Sequence, residues 1–268
     1  QYTIASLLLN QRGPYDIVLN CDGFDLDMKS PVRWIAAYAG RRLVARRLSS
    51  DRFLSFRTAP HISRTQFLKM AAVEDLLFDY ERVLYVDIDF LFFDSIDIEG
   101  FDFRGMPLAA VYDVAEWAAV TSPEFRENCA RNGRSTDYFN SGLMLFDSAA
   151  IEPRRMAADY EELVAAHQVA CPYKSACRTN DQCAWNMLFE NRWTAAPLRW
   201  NVQASMRFLP IWSQAKARHY TGPKKFLPVR PWRSDRREAR LIAGLARLLG
   251  DRIGIADRAV WPVYEINA

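Results

Sequence analysis

The feature that most constrains this chain is the run Val83-Leu84-Tyr85-Val86 leading directly into Asp87-Ile88-Asp89. An apolar run without polar interruption predicts a strand with both faces covered, as in a sheet held between helices. In extended chain, residues i and i+2 project to the same side. The carboxylates of Asp87 and Asp89 therefore converge at the carboxyl end of the strand, the edge at which open α/β sheets bind ligands. Adjacent carboxylates repel one another, and a cation between them relieves that repulsion. Oxygen donors suit Mg2+ or Mn2+, with positions left for the oxygens of a diphosphate.

The flanking sequence alternates strand and helix signals. Ile17–Leu19 and residues 42–48 read as short strands, and Leu108–Tyr112 and Gly142–Phe146 as further buried ones. Ser30-Pro31 reads as a cap and first helical residue, opening a helix to about Tyr38. Ser63 is placed to cap a helix from Arg64 to about Phe78. Residues 153–167 and Asp181–Phe189 read as helices. The span from Trp193 to Pro231 is rich in Pro and aromatics and reads as irregular. The pattern predicts an α/β domain with a mostly parallel, Rossmann-like sheet flanked by helices. Residues 1–231 form that domain, and residues 232–268 a basic, amphipathic helical tail.

Composition narrows the functional classes. Half of the 268 residues are hydrophobic and a quarter charged, which is globular rather than disordered or fibrous. No apolar run is long enough for a membrane span. The basic surplus lies at the end: residues 214–268 hold 12 Lys and Arg against 5 Asp and Glu. The tail helix lacks interleaved aromatics, which argues against stacking on nucleic acid bases. An Arg-rich amphipathic helix suits peripheral contact with a membrane surface, and cytoplasmic localisation is expected. Cys171, Cys177 and Cys183 recur every six residues, unlike the short spacings of zinc sites, and with Cys21 and Cys129 they read as thiols in a reducing compartment.

Four segments together resemble glycosyltransferase family 8, the retaining group that includes glycogenin and bacterial lipopolysaccharide hexosyltransferases. Val83–Leu91 is similar to its metal motif, and Phe139-Asn140-Ser141-Gly142 to its F-N-[AS]-G strand. Asp181-Gln182 with Asn186 resembles its D-Q-x-x-x-N helix start. His219-Tyr220-Thr221-Gly222-Pro223-Lys224-Lys225 resembles its H-x-x-G-x-x-K loop. The resemblance covers roughly residues 5–226 and implies the GT-A fold, with a UDP-sugar donor, a saccharide or glycolipid acceptor and Mn2+ or Mg2+ as cofactor.

Physical roles follow for these positions. Asp87, Asp89 and the imidazole of His219 form a mixed oxygen and nitrogen set that suits Mn2+. Gly222 lets the backbone approach a phosphate, and Lys225, in competition with Lys224, places charge on a departing diphosphate. Asn140, Ser141 and Gly142 sit where a strand meets the cleft. By resemblance, Asp181 binds donor-sugar hydroxyls and Gln182 lies near the anomeric carbon. The same resemblance implies that Lys69 contacts the donor sugar or diphosphate and Asp113 substrate hydroxyls. The family's opening strand and its uridine-binding segment find no counterpart before Ala5–Leu8, which leaves Asp22 and Ile88 as candidates for that role. Two other readings remain open at this level. One is a binding protein that kept the scaffold without catalysis. The other is a phosphatase of the haloacid dehalogenase type, although Leu91 stands where that family usually carries Thr or Val.

Overall fold

The computed structural model describes residues 1–27, 30–58, 63–114, 122–174, 180–221 and 235–249. Its strands are β1 (Ile17–Asp22), β2 (Leu43–Leu48), β3 (Arg82–Val86), β4 (Phe90–Phe92), β5 (Leu108–Tyr112), β6 (Phe139–Asp147), β7 (Trp193–Ala195), β8 (Val202–Gln203) and β9 (Ala217–His219). Its helices are α1 (Tyr2–Asn10), α2 (Pro31–Tyr38), α3 (Leu68–Leu76), α4 (Pro123–Arg131), α5 (Pro153–Val169), α6 (Asn180–Leu188) and α7 (Arg236–Leu248).

Pro at the first position starts α2, α4 and α5, where its missing N–H would be unpaired in any helix. Ser122 and Glu152 then accept backbone N–H groups of the first turns of α4 and α5. Ser30 holds the cap position of α2 without a side-chain cap bond. The helix expected from Arg64 opens as a 3-10 turn over Arg64–Phe67 before α3 begins.

The strands form a β1-β2 pair, a sheet in the order β3-β6-β5-β7, and a small sheet in the order β4-β9-β8. The α/β class is as expected, but the sheets are mixed rather than mostly parallel. The pairs β1–β2, β5–β7 and β8–β9 are parallel, and β3–β6, β4–β9 and β5–β6 antiparallel. β3 also departs from expectation: it lies at the end of its sheet, and Leu84, Tyr85 and Val86 are only half-buried. The longest strand, β6, is buried along nearly its whole length.

β6 divides the core by simple alternation. Met144 and Phe146 face a cluster containing Met70 and Val73 of α3, Tyr160 and Val164 of α5, and Trp185 of α6. Leu143 and Leu145 face a second cluster with Phe90, Phe92, Trp200 and Ala217. The β3-β6-β5-β7 sheet is thus the middle layer, with helices on one face and the small sheet on the other.

Helix α7, the described part of the tail, docks on the body. Leu245 and Leu249 join Tyr2, Ala5, Leu8 and Ile35 in a third cluster, while Arg236, Arg240 and Arg247 stay exposed. Arg218 of β9, fully buried, pairs with Asp235 at 2.6 Å and Glu238 at 2.9 Å. The apolar face expected to meet a membrane is packed inside the protein. The division expected near residue 231 lies outside the described residues. No helix among the described residues is long and apolar enough to cross a membrane.

Candidate active site

Five elements bring polar groups together at the carboxyl edge of β3. The first is the turn after β3. Asp87 N–H donates to the Gly142 carbonyl at 2.8 Å, carrying the β3–β6 ladder one step past the strand. Chain reversal into β4 then brings Asp89 beside β9, where the Tyr220 N–H donates to the Asp89 carbonyl at 3.0 Å. One ligand atom each from Asp87, Asp89 and His219 lies within 4.8 Å of the others. His219 Nε2 is 3.2 Å from Asp89 Oδ1 and 4.0 Å from Asp87 Oδ2.

The second element is a bulge in β6. Ala110 of β5 opposes Met144, but Val111 opposes Asn140. The slip frees Ser141 and Gly142 from β5 and turns them toward the acids. Gly142 is required there by space: a Cβ on it would come 2.3 Å from His219 Cε1 and 2.9 Å from Asp87 Oδ2. The cradle thus lets two carboxylates and one imidazole approach within 4.8 Å of one another, close enough for a single divalent ion to bridge them. Two hard oxygens and one nitrogen fit Mn2+ or Mg2+ rather than a soft metal.

The third element, β9, presents His219 with its orientation fixed. Its ring is stacked on Phe90, centroids 4.2 Å apart. Its Nδ1 lies 3.2 Å from Asn201 Oδ1, and Asn201 donates its own amide to Asn140 Oδ1 at 2.9 Å. With the amide nitrogen of Asn201 so committed, its oxygen accepts from Nδ1–H. Nε2 is the ring nitrogen that faces the carboxylates, and from there a neutral ring offers its lone pair to a cation held between them.

The fourth element is the first turn of α6. Gln182 Oε1 accepts from Asn140 Nδ2 and from the Ser141 N–H, each at 3.2 Å, and its Nε2 donates to Asp113. The backbone on either side of Asp113 is held by Gln203, which accepts from the Val114 N–H and donates to the Tyr112 carbonyl, both at 2.9 Å.

The fifth is Lys69 of α3, a buried side chain. Its Nζ is 2.9 Å from Asp181 Oδ2, 3.1 Å from the Ser141 carbonyl and 3.5 Å from Asp87 Oδ1. Burial alone would lower its pKa, but Asp181 and Asp87 outweigh that and raise it. Tyr85 donates to Asp87 Oδ1 at 2.6 Å; burial first, and then Asp87, raise its pKa well above the usual value. Tyr85 therefore stays a protonated donor.

Lys69, Asp87, Asp89, Asp113, Asn140, Ser141, Gly142, Asp181, Gln182 and His219 thus share one site, although Lys69 is engaged by Asp181, Ser141 and Asp87. Ile88, between the two acids, has 69% of its surface exposed. The Asp22 carboxylate accepts from the Thr65 hydroxyl at 2.7 Å and the Ser50 N–H at 3.1 Å, and so ties β1 to the segments that follow β2. Gly222, Lys224 and Lys225 lie outside the described residues. Sequence reasoning passed over Asn201, Tyr85, Phe90 and Gln203. A buried Asn between Trp200 and Val202 was the one available signal for Asn201.

Comparison with known proteins agrees with this geometry. The sequence model of glycosyl transferase family 8 matches residues 2–235. The glycosyltransferase GlyF of Streptococcus pneumoniae serotype 4 (strain ATCC BAA-334 / TIGR4) is 26% identical over 160 residues, 59% of this chain and 34% of GlyF. The apo structure of the bifunctional glycosyltransferase WbbM superposes with a TM-score of 0.66 at 18% identity, over 90% of this chain and 48% of that one. LgtC, solved as an active-site Gln-to-Glu mutant, superposes at 0.64 with 19% identity, over 87% of this chain and 96% of that one. The galactosyltransferase LgtC in complex with donor and acceptor sugar analogues gives 0.61 at 19% identity, over 88% and 96%. The chain spans about a third of GlyF and about half of WbbM. At such identities the superpositions speak for the fold, and the match over residues 2–235 speaks for the family. The chain belongs to glycosyl transferase family 8 and carries its domain on a GT-A fold.

Proposed function

We propose that this protein transfers a hexose from a UDP-sugar to a hydroxyl of a saccharide or glycolipid acceptor, with retention at the anomeric carbon. Asp87, Asp89 and His219 would hold Mn2+, or Mg2+ in its place. The single observation that carries the reading is the convergence of those three side chains beside the Gly142 cradle. When bound, the ion supplies positive charge for the oxygens of the donor diphosphate.

The protein's own groups divide the remaining work. Asn201 fixes the tautomer of His219, and Tyr85 occupies Asp87 Oδ1, which leaves Oδ2 toward the imidazole. Lys69 orients Asp181 through their 2.9 Å contact, so its carboxylate accepts from sugar hydroxyls. Asp113 and Asn140 offer further hydroxyl partners on the floor of the site. Lys225, with Gly222 allowing close approach, stabilises the departing diphosphate, and Lys224 is its competitor in that role. Gln182 is held by Asn140, Ser141 and Asp113, and an amide is a poor nucleophile. We therefore favour front-face substitution: the acceptor oxygen bonds to the anomeric carbon as the bond to the phosphate oxygen breaks, and that phosphate takes the acceptor proton. Ile88, exposed beside the acids, offers an apolar surface to the base.

The test is donor turnover with UDP-Glc, UDP-Gal, UDP-GlcNAc and GDP-Man, with Mn2+ and with EDTA. Metal-dependent hydrolysis or transfer from a UDP-sugar is expected, and it is lost in Asp87→Ala and Asp89→Ala. Unchanged turnover in either variant overturns the assignment. Donor binding without turnover under every condition would favour a scaffold that binds without catalysis.

A further inference from the structure

A second metal-type cluster lies on the helical side of the sheet, apart from the carboxylate site. His167 stands in the last turn of α5, Cys171 just beyond its end and Cys183 in the first turns of α6. One ligand atom from each lies within 4.8 Å of the others. His167 and Cys183 are buried, and Cys171 is half-buried. The two sulfurs are 3.9 Å apart. A disulfide needs about 2.05 Å, whereas two thiolates on a tetrahedral zinc, at ~2.3 Å each, lie about 3.8 Å apart.

We propose that His167, Cys171 and Cys183 bind a zinc ion that joins the end of α5 to the start of α6. Two thiolates and a neutral imidazole balance the charge of Zn2+, which lets the site lie within the protein. Binding releases the two thiol protons to solvent. Three protein ligands leave one tetrahedral position for water or a further side chain. Donors suited to thiolates are already placed. The Tyr173 N–H donates to Cys171 Sγ at 3.4 Å, and the Tyr138 hydroxyl lies 3.1 Å from Cys183 Sγ. Outer partners of this kind orient metal ligands. The softness of the donors separates this site from the carboxylate site: sulfur selects zinc, oxygen selects manganese or magnesium.

The placement gives the ion a purpose. Cys183 follows Asp181 and Gln182 directly on α6. The link would fix the helix turn that carries both residues. The spacing of six between cysteines hid the cluster, because its ligands come from the last turn of one helix, the chain just beyond it and the start of another helix.

The experiment measures bound metal rather than activity. The full chain, purified after growth with added zinc and dialysed against a weak chelator, is expected to carry about one zinc per chain by elemental mass spectrometry. Cys171→Ser, at a half-buried position, and His167→Gln should each lose at least tenfold of that zinc while keeping the native circular dichroism spectrum. Asp87→Ala should retain it. Cobalt exchanged into the wild type should show a thiolate charge-transfer band that Cys171→Ser abolishes. Wild-type protein without zinc, full zinc in both ligand variants, or a Cys171–Cys183 disulfide in freshly isolated protein overturns the proposal. Each result is read without the transfer assay, so it stands or falls separately from the proposed reaction.

Discussion

His219 Nδ1 and Asn201 Oδ1 face each other at 3.2 Å, and the pair closes a chain of hydrogen bonds through Asn140 to Gln182 and Asp113. One buried amide therefore sets both the metal-facing nitrogen of His219 and the polar floor of the site. Asn201→Ala should leave the three ligand residues in place but free the imidazole to turn or to change tautomer. Loss of such an outer partner typically costs 10–100-fold in metal affinity or activity. A Mn2+ titration of donor turnover should show its midpoint shifted upward by that order. An unchanged midpoint would show that Phe90 stacking alone orients the ring.

Gly142 supplies a steric test of the same site. The Cβ of Gly142→Ala would lie 2.3 Å from His219 Cε1 and 2.9 Å from Asp87 Oδ2, so both ligands must move. Displacements of about 1 Å at a reacting centre commonly cost on the order of 100-fold in rate. We expect at least that loss of turnover, with a thermal melt close to wild type because the strain falls on the cleft wall. Wild-type turnover in this variant would mean that the imidazole and the carboxylates do not act together.

The parts of the site that were legible in the sequence are those encoded locally. Alternation in extended chain brought Asp87 and Asp89 to one side. Pro31 and Pro153 marked the starts of α2 and α5. What escaped was set by distant partners. The apolar run of β3 reports only that its neighbours are apolar, and its place at the end of a sheet depends on register with β6, some sixty residues away in sequence. Asn201 sits in an irregular, aromatic-rich span with no period to reveal it. An amphipathic helix has the same pattern whether it covers a membrane or a protein core, and α7 covers the core.

Lys69 should contribute to stability as well as to the site. Its ammonium is buried between Asp181 and Asp87, with 4% of the side chain exposed against 13% and 33% for the acids. Lys69→Met leaves two acids without their cation. Breaking a buried pair by removing one partner costs about 3 kcal/mol or more. Urea unfolding should show that loss. Lys69→Met/Asp181→Asn should recover a good part of it, since the two side chains act as one unit. A double variant with the simple sum of both losses would show that the pair is not coupled.

The acid limb of the stability curve should carry the signature of two carboxylates outside the cleft. Burial would raise the pKa of Asp235, but the hydrogen bond and charge of Arg218 and the N–H groups of Glu238 and Arg237 lower it below the usual carboxylate range. Burial likewise would raise the pKa of Asp22, but hydrogen bonds from the Thr65 hydroxyl and from Ser50 outweigh it and lower the value. A carboxyl whose folded pKa is depressed stabilises the fold fully above its unfolded pKa of about 4, and that contribution is lost as pH falls through the folded value. Stability measured by urea unfolding should therefore decline below about pH 4. Asp22→Asn and Asp235→Asn should each make that decline shallower while lowering the neutral-pH plateau. For Asp235→Asn the loss should coincide with earlier proteolysis within α7, because the same carboxylate caps that helix and pairs with the buried Arg218. An acid limb identical in slope to wild type would place the titrating groups elsewhere.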